Sequence, residues 1–151
     1  MTIFRNGLYK KIKGISGQTR FAVLATESNG CPYTNLVGFL LSKDLKDLYF
    51  FTSKNTRKYK NILNNPEVCL LVDTRDKFTD NTFLITAITV IGRAEVMEDM
   101  PDPVVDMYLE KNAELKDFTK SSFNVLVKVS ITKYILVDRF QEVTEMEVAG
   151  I

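Results

Sequence analysis

The 151-residue chain contains no histidine. Without an imidazole, the Ser-His-Asp and Cys-His mechanisms, histidine acid–base catalysis and most zinc sites fall away together. Cysteine is nearly as scarce. Cys31 and Cys69 make no disulfide framework and lack the two-residue spacing of redox and metal pairs. They read as reduced thiols of a cytoplasmic protein. Net charge is missing too: 20 Lys+Arg against 19 Asp+Glu leave +1. Non-specific nucleic-acid binding runs on phosphate neutralisation by a basic surface, so no nucleic-acid partner is expected and any anion site must be a local cluster. No run approaches the roughly 18 apolar residues of a membrane span. The stretch Met1 to Gly14 carries Arg5, Lys10, Lys11 and Lys13 but no apolar segment, so no secretory signal is expected there. The few prolines are scattered and mark no linker, and residues 1–151 read as one domain.

Hydrophobic residues make up 45% and charged residues 26%, enough apolar material for a real core. Phe4, Leu8, Ile12 and Ile15 step as an amphipathic helix ending at Gly14 and Gly17. Arg20 to Thr26 reads as a strand in which Phe21, Val23 and Ala25 alternate with their neighbours. It enters an Asn29-Gly30 hairpin turn, and Tyr33 to Leu41 returns. Leu48 to Thr52 is a third strand, and Val68 to Asp73 a fourth, apolar enough for burial on both faces. Thr82 to Glu98 reads as one long strand, apolar on both sides, where Gly92 marks a bulge or a close approach. Pro103 to Lys111 and Glu114 to Lys120 read as helices. Phe123 to Asp138 alternates throughout, with Phe123, Val125, Val127, Val129, Ile131, Ile135 and Val137 on one face. Six or seven antiparallel strands with three or four helices point to a mainly-β fold, a closed or nearly closed barrel. The helices are too few to cover the outer face of Thr82 to Glu98, which predicts a two-fold homodimer.

The chemically informative run is Phe51 to Pro66, FTSKNTRKYKNILNNP. Thr56 is a good N-cap for a helix from Arg57 to Asn64, with Tyr59, Ile62 and Leu63 as its buried stripe. Its charges are on the wrong end. Lys54, Arg57, Lys58 and Lys60 crowd a terminus that already carries about half a positive charge, at a cost of up to roughly 1 kcal/mol each. An anion would resolve the conflict, with free backbone N–H groups, the hydroxyls of Thr52, Ser53 and Thr56 and the Arg57 fork converging on a phosphate. A solvated basic helix end, tolerated because exposed charges cost little, stays open on the residues alone. Elsewhere, Asp99, Asp102 and Asp106 read as helix-start acids rather than a metal site. Met97, Met100 and Met107 read as packing residues, and Tyr33 and Tyr49 as core or rim aromatics. Arg139 either reaches a ligand or pairs with Asp138 or Glu142.

The run Thr52 to Val68, the LAT strand at Leu24 to Thr26, the NGxPY turn at Asn29 to Tyr33 and VIGRAE at Val90 to Glu95 carry a resemblance. The chain resembles the pyridoxamine 5′-phosphate oxidase-like flavin-binding split-barrel family over most of Arg20 to Met146, and its end, YILVDRFQEVTEM, looks like a subgroup of short uncharacterised members. The resemblance implies an antiparallel split β-barrel holding FMN at the interface of a homodimer. Arg57 and Lys58 match the family's phosphate-binding pair, and Thr52, with Phe51 beside it, matches the hydroxyl at the end of the preceding strand. The segment Asn35, Leu36, Val37 and Gly38 matches the backbone along the isoalloxazine edge. Ala87 stands where the oxidase carries a flavin-contacting Gln, Asn35 to Leu41 holds no Lys or Arg, and the oxidase's C-terminal Arg-x-His motif has no counterpart in a chain without histidine. The expectation is therefore an FMN-dependent oxidoreductase acting on a small-molecule substrate or electron donor other than a B6 vitamer, with no catalytic residue assigned. A carrier of flavin, deazaflavin or haem without turnover is the alternative, haem being the weaker because its usual axial ligand is missing. A structural dimer with a vestigial pocket is the third.

Overall fold

The computed structural model describes residues 2–148. In chain order its elements are α1 (Thr2–Gln18), β1 (Phe21–Ser28), β2 (Cys31–Gly38), β3 (Leu40–Leu41), β4 (Asp47–Ser53), α2 (Arg57–Asn64), β5 (Glu67–Asp73), β6 (Ala87–Val96), α3 (Asp102–Lys111), α4 (Lys116–Lys120), β7 (Asn124–Asp138) and β8 (Glu142–Glu147). All strand pairings are antiparallel, in the order β2-β1-β5-β6-β7-β4-β3, with β8 on β7. β2 and β3 stand at opposite ends of that path, yet only Phe39 separates them in the chain. The sheet must therefore curl until its ends approach, which makes a split barrel with flanking helices.

The tight turn forms as its residues require. Asn29 and Gly30 both take positive φ, 52° and 78°, and join Ser28 to Cys31. The expected single strand from Tyr33 to Leu41 is instead two. The chain leaves β1's side at Gly38, buries Phe39 completely and rejoins the sheet beside β4. In β1 the core residues are Ala22, Leu24 and Thr26, while Phe21 is exposed and Val23 and Ala25 are half-buried. β5 is buried on one face by Val68, Leu70 and Val72, but Cys69 and Leu71 are only half-buried. The long strand expected from Thr82 begins as a 3-10 turn at Thr82–Leu84, capped by the Asn81 carboxamide, and pairing starts at Ala87.

β7 explains the barrel. One edge pairs with β6, from Val96↔Val127 to Ala87↔Val137. The other edge pairs first with β4, through Ser130, and then with β8, from Lys133. The β6–β7 register shifts between Ile91 and Gly92, leaving Thr132 unpaired. That bulge inverts the alternation expected across the whole strand: Val127, Val129 and Ile131 face the core before it, and Tyr134 and Leu136 after it. Ile135 and Val137 turn outward. Gly92 is required here, because a Cβ would stand 2.5 Å from the Ser130 carbonyl oxygen and 2.7 Å from Val129 Cγ1. α1 runs past Gly14 and Gly17 because other residues cap its end. The Thr19 hydroxyl donates to the Ile15 carbonyl (2.7 Å) and Lys111 Nζ to the Ser16 carbonyl (2.9 Å).

Candidate functional site at the N-terminus of α2

β4 ends at Ser53, a short polar loop turns the chain, and α2 starts at Arg57. Thr56 caps it as expected, its hydroxyl accepting from the Tyr59 N–H (3.3 Å) and donating to the Ser53 carbonyl (2.8 Å). Thr52 is almost fully buried, and its hydroxyl lies 2.9 Å from that of Thr56. The Ser53 hydroxyl accepts from the Asn55 N–H at 3.4 Å. The Thr52 and Thr56 hydroxyls thus contact each other at the end of the strand, while that of Ser53 is engaged by the loop backbone.

The cationic side chains above them are not paired. Among the described residues, Lys54, Arg57, Lys58 and Lys60 make no salt bridge. Arg57 is exposed and rests its guanidinium 5.2 Å from the centre of the Tyr33 ring. Lys58 is half-buried, and desolvation lowers its ammonium pKa below the usual lysine value. A desolvated cation without a counter-charge is costly alone and a strong partner for an anion.

The other expected site residues divide by face. Antiparallel register sets Tyr33 opposite Thr26, Asn35 opposite Leu24 and Val37 opposite Ala22, on the face where α2 packs. Asn35 Oδ1 is buried there without a hydrogen-bond partner. Val37 is core, and Leu36 lies on the opposite face, 64% exposed, beside Val23 and Leu71 at a 250 Å³ depression. The Gly38 carbonyl accepts from the Tyr108 hydroxyl at 2.9 Å. A Cβ on Gly38 would meet Asn112 Oδ1 at 2.9 Å, so the glycine serves α3 packing. Phe51 is buried edge-on against Tyr108 at 5.0 Å and pairs with Leu126 in the sheet, so its ring serves the core. Arg139 stands apart. It follows Asp138 at the other end of β7 from Asn124, the partner of Ser53, and its guanidinium approaches Glu142 at 3.8 Å. The surface ion pair considered for it is formed, and within one chain it does not join Arg57 and Lys58.

Two features went unread in the sequence. Leu63, expected in the buried stripe of α2, is 60% exposed, and Asn61 is buried instead. Asn61 Nδ2 donates to Thr26 Oγ1 at 3.0 Å, and Asn65 Nδ2 to Glu27 Oε2 at 2.5 Å. Those bonds dock α2 on the β1–β2 hairpin. The only hint of them was two amides one helical turn apart.

The family model for pyridoxamine 5′-phosphate oxidase matches residues 8–136, and the chain belongs to this family of split-barrel proteins. No curated protein matches the sequence. Among solved structures, General Stress Protein 26 of Bacillus anthracis is 26% identical, with a TM-score of 0.68 over 92% of this chain and 98% of that one. The heme-binding protein of Mycobacterium smegmatis is 17% identical with a TM-score of 0.80, over 92% of this chain and 57% of that one, so this chain spans little more than half its length. A FAD-binding protein of Mesorhizobium loti is 20% identical with a TM-score of 0.67, over 84% of this chain and 90% of that one. The last two likenesses are likenesses of fold. Among the described residues no helix is long and apolar enough to cross a membrane, and no cluster of acidic or cysteine side chains could hold a metal.

Proposed function

We propose that the protein binds FMN, with Arg57 and Lys58 on its phosphate, at the interface of a two-fold homodimer. The observation that carries this reading is the unpaired cationic end of α2, which directly follows the paired hydroxyls of Thr52 and Thr56. The residues present suit the group. The phosphate meets cations and helix N–H groups, and Asn35 Oδ1, on the sheet face where α2 packs, is a buried acceptor that the chain itself leaves unpartnered. The flavin, when bound, supplies hydride or single-electron transfer, so the chain needs no nucleophile of its own. Its residues anchor the phosphate, hold the ring edge along β2 and exclude water. The half-buried outer row Val23, Leu71, Thr89 and Ile135, extended by exposed Leu36, supplies a face for the second subunit. With this site goes a redox role toward a small-molecule substrate or electron donor. Oxidation of B6 vitamers is not part of the proposal, since a chain without histidine cannot form the oxidase's Arg-x-His motif. A flavin carrier is the second reading, favoured by a site whose assembled cations and hydroxyls are all suited to anchoring a phosphate. Haem is weaker for want of an axial histidine, although the M. smegmatis protein of the same fold is heme-binding.

The purified protein is expected to show flavin absorbance, and Arg57→Ala with Lys58→Ala to lose the cofactor with the circular dichroism of the fold intact. Full flavin occupancy in the double variant would refute the phosphate assignment. Anaerobic mixing with NADH or NADPH separates enzyme from carrier by whether the bound flavin is reduced.

A further inference from the structure

α2 meets the β1–β2 hairpin through polar contacts spaced one helical turn apart. Arg57, Asn61 and Asn65 recur at intervals of four, which puts them on one side of the helix. Arg57 lies over the Tyr33 ring at 5.2 Å, Asn61 bonds Thr26, and Asn65 bonds Glu27. The acceptors are themselves adjacent, since Tyr33 pairs directly with Thr26 across the hairpin. The two lower rungs fix the height and rotation of α2. Glu27 is held on both sides: its carboxylate accepts from Asn65 and from the Gly30 N–H, and these bonds keep its pKa below the usual carboxylate value. The top rung is different in kind. It ends on an aromatic face, and the guanidinium keeps its N–H donors free of any salt bridge among the described residues.

We infer that Tyr33 is a positioning residue for phosphate recognition: its ring seats the Arg57 guanidinium by a cation–π contact, so that the fork is pre-oriented toward an anion at the N-terminus of α2. A carboxylate in that position would hold the arginine as firmly but would neutralise it and occupy its donors. An aromatic face restrains the cation and leaves both its charge and its N–H groups available. The ring, rather than the hydroxyl, does the seating. This inference rests on the phosphate reading of the α2 end.

The test is a double-mutant cycle on FMN affinity, read by fluorescence titration of apoprotein. Tyr33→Leu should raise the FMN dissociation constant about two- to fivefold, the size of an exposed cation–π contact expressed as an affinity. Tyr33→Phe should bind like the unmodified protein, and Tyr33→Leu should leave the affinity for riboflavin, which lacks the phosphate, unchanged. In an Arg57→Ala background, Tyr33→Leu should have no further effect on FMN. If it costs as much there as in the parent, the ring acts on the cofactor or the fold directly and the inference is wrong. An unchanged FMN affinity in Tyr33→Leu, with Arg57→Ala weakened, would also overturn it. An unchanged affinity in Arg57→Ala would instead bring down the phosphate reading beneath it.

Discussion

Two lysines in this chain lose part of their hydration, and their surroundings differ. Lys111 ends α3, donates to the Ser16 carbonyl at the end of α1 and lies 3.4 Å from the centre of the Phe39 ring. α3 obeys the helix dipole, with Asp102 in its first turn and Lys111 in its last. Lys58 stands at the wrong end of α2, in a first turn with no acid, half-buried and without a carboxylate partner among the described residues. The first cation is part of the architecture: the groups that need it are all in the chain. The second is supplied with everything except its counter-charge. The difference separates a basic residue that holds a fold from one set to hold a ligand.

The sharpest way to break this comparison is to remove each cation. Arg57→Ala with Lys58→Ala should weaken FMN at least ~100-fold, since a hydrogen bond to a charged group contributes about 1.5–3 kcal/mol, while thermal stability without ligand barely changes. Lys111→Met should do the reverse, with flavin affinity kept and the pH profile of stability altered. Burial pushes the Lys111 pKa down to about 8, against its ordinary 10.5. Between those values the unfolded chain binds the extra proton, so the native protein gains stability as pH rises from about 8 to 10.5, and below 8 it carries the cost of the buried charge. The Phe39 ring face and the α1 terminus favour the charged form and reduce that cost. Chemical denaturation at neutral and alkaline pH should show this rise in the parent and a flatter profile in Lys111→Met. An identical slope in both would exclude Lys111 as its source.

Two smaller effects sharpen the picture. Asn61→Leu leaves the Thr26 hydroxyl without its buried partner and should destabilise by about 1–3 kcal/mol, with FMN affinity falling as α2 loses its lower rung. Lys60→Glu gives the first turn of α2 its missing acid. It should stabilise the ligand-free protein by about 0.3–1 kcal/mol, measured in urea at low salt, and weaken FMN modestly. A destabilised Lys60→Glu would mean that the cations are satisfied by the fold itself.

The reach of the sequence tracks how local each cause is. Thr56 and the bounds of α2 were legible because a cap and a helical stripe lie within a few residues, and Asn29-Gly30 named its own turn. Gly92 was legible as a close approach, though not what it approaches. The second half of β7 was misread because the bulge at Thr132 belongs to a pairing with β6 that no local alternation contains. β8 was overlooked, since Glu142 to Glu147 shows mostly polar residues and is held by its pairing with β7. α1 outran its glycines because one of its caps is Lys111, far along the chain. In the site, the cationic cluster stood out by its misplaced charge. Tyr33 and Asn61 did not, because each is ordinary until the hairpin and the helix meet.

The most direct test is calorimetric titration of the apoprotein with FMN and with riboflavin, two ligands that differ by the phosphate alone. The account predicts that FMN binds at least ~100-fold more tightly, and that the margin collapses in the Arg57→Ala, Lys58→Ala double variant. Equal affinities for the two flavins in the unmodified protein would contradict it.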